Sequence, residues 1–114
     1  MEKHEWSTDE LRHKAEAYCA GTEHCCSEVK TKLLQWGADE TTINFILAHL
    51  QQHKYIDEER YCHAFAHDKL NYQGWGRVKI KAALFAKKLP QNYIILALDS
   101  IDEIEYFEIL KRVI

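Results

Sequence analysis

Tyr55-Ile56-Asp57-Glu58-Glu59-Arg60-Tyr61, followed by Ala64-Phe65-Ala66, Asp68-Lys69-Leu70 and Gly74-Trp75-Gly76-Arg77-Val78-Lys79-Ile80, decides how the chain is read. Asp57 is a good helix N-cap, because its carboxylate can accept from a first-turn amide. Glu58 and Glu59 follow where the helix dipole is positive. Tyr61, Ala64, Phe65, Asp68 and Tyr72 recur at helical spacing and define one expected face. Gly74 and Gly76 bracket Trp75, so a sharp turn with a buried indole is expected there, packed by Trp75 and Tyr72. Beyond it, Arg77 to Lys88 holds Arg77, Lys79, Lys81, Lys87 and Lys88 and no carboxylate. The stretch reads as a helix, a turn and a basic helix.

On either side the same grammar continues. Ser7, Thr8 and Asp9 offer caps for a first helix with Leu11, Ala15, Tyr18 and Cys19 on one face. A second helix starts near Cys25 or Ser27, carries Val29, Leu33 and Trp36, and stops at Gly37, which suits a left-handed cap. Asp39 caps a third, with Ile43, Ile46, Leu47 and Leu50 as its apolar stripe. A fifth helix spans about Gly76 to Lys88. Pro90 opens a sixth, bearing Ile94, Ala97, Leu98 and Ile101. A seventh starts at Asp102 with Tyr106, Phe107 and Leu110. The fold class is therefore all-α.

The pattern repeats. A shift of 51 residues lays Val29 on Ile80, Leu33 on Leu84, Ile43 on Ile94, Leu47 on Leu98 and Leu50 on Ile101. A shift of 45 lays Ile56-Asp57-Glu58 on Ile101-Asp102-Glu103 and Tyr61 on Tyr106. The expected division is a three-helix repeat over 1–55, a second over 56–100, and the first helix of an incomplete third over 101–114. An incomplete third repeat would leave Tyr106, Phe107 and Leu110 to pack elsewhere, and self-association is one outcome.

Tyr55 to Tyr61 resembles the Gly-Tyr-Ile-Asp-Asp-x-Arg-Phe signature of the RecX family, regulators of the RecA recombinase. Trp75-Gly76-Arg77-Val78-Lys79-Ile80 resembles that family's Gly-Pro-x-Arg-Ile segment in a Trp-Gly variant. The motif positions are Tyr55, Asp57, Arg60, Tyr61, Phe65, Trp75, Gly76 and Ile80. RecX proteins consist of three tandem three-helix repeats, which agrees with the internal repetition. The resemblance implies a partner, the RecA filament on single-stranded DNA, in whose groove family members lie. It also implies an activity, modulation and usually inhibition of RecA, and a chain shorter than most members.

Composition narrows the alternatives. The 114 residues, 46% hydrophobic and 29% charged, are those of a folded chain. No apolar run reaches the ~20 residues of a membrane span, and Met1 to Trp6 lacks a signal-peptide core. A cytoplasmic protein is expected. Cys19, Cys25, Cys26 and Cys62 show no Cys-x-x-Cys spacing, so reduced thiols are expected in place of zinc or bridges. His63 and His67 stand one turn apart, but no carboxylate motif completes a metal set. No phosphate loop, His-Glu-x-x-His or nucleophile motif is present, and no cofactor is implied. The net charge of −3 does not advertise nucleic acid, yet the basic run is followed by Asp99, Asp102, Glu103, Glu105 and Glu108.

At ~100° per residue Arg77, Lys81 and Lys88 fall within about 40° of one another on a helix, a line able to track phosphates. The first repeat holds Cys26 and Gly37 at the places of Arg77 and Lys88, and Glu28 beside Lys30 and Lys32, so the line of three cations without a carboxylate belongs to the second repeat. Two further functions fit the residues: a helical-repeat scaffold for some other protein, unrelated to RecA, or a small DNA-binding module using the basic fifth helix directly.

Overall fold

The computed structural model describes residues 5–101, with six α-helices and no strand among them. They are α1 (Thr8–Gly21), α2 (Cys26–Gln35), α3 (Glu40–Gln52), α4 (Glu58–Gln73), α5 (Arg77–Ala86) and α6 (Gln91–Asp99). The chain divides into two compact units, Met1–Asp57 and Glu58–Ile114. The seventh helix expected from Asp102 lies outside the described residues.

Local chemistry explains the boundaries of the first unit. Ser7 forms a capping box: its Oγ accepts from Glu10 N at 3.1 Å, and its own N–H donates to Glu10 Oε1 at 3.0 Å. Asp39 caps α3 by accepting from Thr42 N at 2.8 Å, which holds its carboxyl below the usual range. Gly37, at φ +89°, closes α2 in a Schellman motif. Its N–H donates to Leu34 O, and Ala38 N–H donates to Leu33 O. The core beneath is Leu11, Ala15, Cys19, Val29, Leu33, Ala38, Ile43, Ile46, Leu50 and Ile56. Burial and the neighbouring Glu23 push the Cys19 thiol up to about 11, so it is an inert apolar residue.

The second unit repeats this plan. α2 and α5 begin and end 51 residues apart. Lys88 occupies the place of Gly37, at φ +61°, and the same pair of carbonyl bonds closes α5. Ile80, Leu84, Leu89, Ile94, Ala97 and Ile101 are buried where Val29, Leu33, Ala38, Ile43, Ile46 and Leu50 are buried. Leu47 and Leu98 are both half-buried.

Five expectations change. α5 stops at Ala86, so Lys88 lies beyond the helix and its helical-wheel bearing no longer applies. The buried stripe of α4 is Tyr61, Cys62, Ala66 and Leu70, not the face running through Asp68 and Tyr72. Leu70 anchors that stripe, and Tyr72, two residues on, points ~200° away; it is 84% exposed and does not pack the turn. Gly74 is left-handed at φ +66°, but Gly76, at φ −77°, is an ordinary N-cap. Pro90 is the N-cap of α6, one place before its first turn.

Candidate functional site

Within the second unit the turn before α5 is built around Trp75. Its indole meets Phe65 edge-on at 6.2 Å, and Phe65 stacks on Tyr61 at 5.9 Å. The ammonium of Lys69 lies 4.8 Å from the indole and that of Lys79 lies 4.4 Å from it. Trp75 therefore gathers two cations while its bulk fixes the α4–α5 turn. Tyr61, Phe65 and Ile80 serve the packing of this unit, and Tyr55 lies beside His49 in the first. Asp57 immediately precedes α4, and Arg60 is exposed on its first turn.

The five basic residues do not form one line. Arg77 is half-buried, and its guanidinium donates to Ile101 O at 3.3 Å. Lys79 leans over Trp75. Lys81 is exposed, Lys87 is the half-buried C-cap of α5, and Lys88 is exposed in the following turn. Arg77, Lys81 and Lys88 are thus not equivalent groups on one helix face.

Two features of α5 set it apart from α2. Its first turn holds no carboxylate but does hold Arg77 and Lys79, which places positive charge at the positive end of the helix dipole. In α2 the place of Lys79 is taken by Glu28, whose Oε1 accepts from Cys25 N at 3.2 Å. The helix start in the second unit lacks that stabilising contact and carries Arg77 and Lys79 instead. The outer face of α5 is also apolar: Val78 is 85% exposed and Phe85 is 71% exposed. Val78, Lys81, Ala82 and Phe85 line a groove of about 350 Å³ with Gln91 and Ile94 of α6. Periodicity did not single out this groove, because Val78 and Phe85 fall off the core stripe.

His63 and His67 converge on a hydroxyl. Ser100 Oγ donates to Ala97 O at 2.6 Å, so it accepts from His63 Nδ1 at 3.2 Å and from His67 Nε2 at 3.1 Å. Those two nitrogens carry the hydrogens, and both rings are occupied in closing the end of α6. In the first unit Glu16 is the hub. It accepts from His49 Nε2 at 2.8 Å and meets Arg12 at 3.4 Å and His13 at 3.5 Å. The His49 hydrogen bond, aided by Arg12, holds the Glu16 carboxyl below its ordinary range.

Comparison with known proteins gives a consistent result. The family model described as "RecX, second three-helix domain" matches residues 57–98. A regulatory protein RecX of Clostridium perfringens is 32% identical over 75 residues, covering 66% of this chain and 34% of its own length. One from Leptothrix cholodnii is 29% identical over 91 residues, covering 80% of this chain and 57% of its own. The chain therefore spans about a third of the first relative and just over half of the second. A crystal structure of regulatory protein RecX superposes with a TM-score of 0.78 at 21% identity, over 98% of this chain and 61% of that one. At that identity the likeness shows the helical fold alone. Among the described residues no helix is long and apolar enough to cross a membrane.

Proposed function

We propose, on the premise that this chain belongs to the RecX family of regulatory proteins, that it binds the RecA filament on single-stranded DNA and modulates, in the inhibitory direction, RecA activity in recombination, repair and the SOS response. The observation that carries this reading is the start of α5. There Lys79 stands where the first unit has a helix-stabilising Glu28, and the first turn of α5 itself holds Arg77 and Lys79 and no carboxylate. A positive helix start that gives up a stabilising contact is suited to meet an anionic surface. Several modest contacts along successive repeats add through effective concentration.

The direct test is the ATPase of the cognate RecA on single-stranded DNA, titrated with this protein. A dose-dependent fall supports the reading, and no change at saturating protein rejects it. The charge should be probed through Lys79, Lys81 and Lys88. Arg77 holds Ile101 O, so replacing it tests folding as much as binding. Lys79→Glu/Lys81→Glu/Lys88→Glu should weaken filament binding, and should flatten the log–log salt slope by roughly two units if the three meet DNA phosphates. If they meet RecA carboxylates, affinity should fall without any change in dependence on DNA length.

A further inference from the structure

The α5/α6 groove has a counterpart in the first unit, and the two differ in one direction. At the places of Val78, Ala82 and Gln91 the first unit has Ser27, Thr31 and Glu40. Lys81 matches Lys30, Phe85 matches Leu34, and Ile94 matches Ile43. Each of the first three changes removes a hydroxyl or a negative charge. The fold does not require them, since the first unit builds the same helices with the polar set. The result is an apolar groove on the surface, with Lys81 as its cation. It lies within Lys69 to Leu98, a run of six cations without a single carboxylate.

This chemistry selects its occupant. Exposed Val78 and Phe85 gain from apolar groups that leave water with them. A phosphate backbone offers none, and tracking it calls for a row of cations where the groove presents Lys81 alone. Val78, Ala82 and Phe85 stand at i, i+4 and i+7, the spacing that receives about two turns of an amphipathic helix. The absence of carboxylates across the surrounding run favours a segment that is itself acidic. We propose that the α5/α6 groove docks an acidic amphipathic segment of the filament protein, with an apolar side chain against Val78, Ala82 and Phe85 and a carboxylate on Lys81. This rests on the filament reading above and assigns this contact to protein instead of DNA.

The test uses Val78→Ser/Ala82→Thr, which installs the residues of the first unit, together with Phe85→Ser and Lys81→Glu. Each is compared with wild type for binding to RecA filaments on single-stranded DNA, binding to the bare DNA, molar mass in solution and thermal melting. All four positions are exposed, so melting should hardly move. The expected result is at least a tenfold loss of filament affinity for each variant, with bare-DNA binding and molar mass unchanged. Equal losses on bare DNA would make this a nucleic-acid surface. A change from dimer to monomer with filament binding intact would make the occupant a second copy. Unchanged filament binding in folded variants would remove the groove from the mechanism. Failure of wild type itself to bind the filament would reject the filament reading, and this assignment with it.

Discussion

Gly37 and Lys88 hold the same left-handed position at the end of equivalent helices, one with the residue that suits it and one without. A Cβ built at Gly37 meets nothing within 4 Å, so Gly37→Ala carries a backbone cost alone. It should destabilise the fold by about 1 kcal/mol in urea denaturation. Lys88→Gly should move the other way, by up to about 1 kcal/mol, because a side chain at φ +61° is strained. Glu16 gives a pH dependence. Its folded pKa is depressed, chiefly by the bond from His49, so the native state binds fewer protons than the unfolded chain as pH falls below the ordinary carboxylate value. The associated stability is present at neutral pH and is lost as pH falls through the folded value. Glu16→Gln should remove that component, seen as a shallower drop in melting temperature between pH 5 and pH 3 than wild type shows.

Among the helices, α5 is where stability and binding pull apart. Lys79→Glu would place a carboxylate where Glu28 stands in α2, within reach of the N-cap amide and at the favourable end of the dipole. It would also break the contact between Lys79 and Trp75. These effects are each about 0.5 kcal/mol and oppose one another, so the melting temperature should stay the same or rise slightly. Filament affinity should nonetheless fall. A variant that is at least as stable yet binds less well would identify the positive helix start as a binding feature; a large loss of stability would make Lys79 structural.

The molecule as a whole carries two cores with matching positions, and each can be weakened separately. Leu33 and Leu84 are both fully buried at the same place in the repeat. Leu33→Ala and Leu84→Ala should each cost about 2–5 kcal/mol. Hydrogen exchange should show where: amides of α1–α3 should lose protection in the first variant and amides of α4–α6 in the second. Uniform loss across both units in either variant would mean that they unfold as one.

Helix content, the 51-residue repeat and the paired apolar stripes were legible in the chain, because burial of one helix face imposes a period that local chemistry then punctuates. Ile43 and Ile94, or Leu50 and Ile101, pair by spacing alone, and Gly37 announces its own turn. The face of α4 was not legible, since Tyr61, Cys62, Ala66 and Leu70 compete with other aromatic residues at nearly the same spacing. Nor was the end of α5: a lysine in a left-handed turn has no composition signal, and it is the seat of Leu89 in the core that holds Lys88 there. The basic run was visible as charge, yet charge along a chain does not say which cations are already engaged. Arg77 turning to Ile101 O and Lys81 beside a groove shared with α6 are consequences of packing between residues distant in sequence, and Lys79 leaning on Trp75 depends on how the α4–α5 turn seats the indole. Periodicity reports what a helix must bury, whereas the groove is made of side chains that the fold leaves outside.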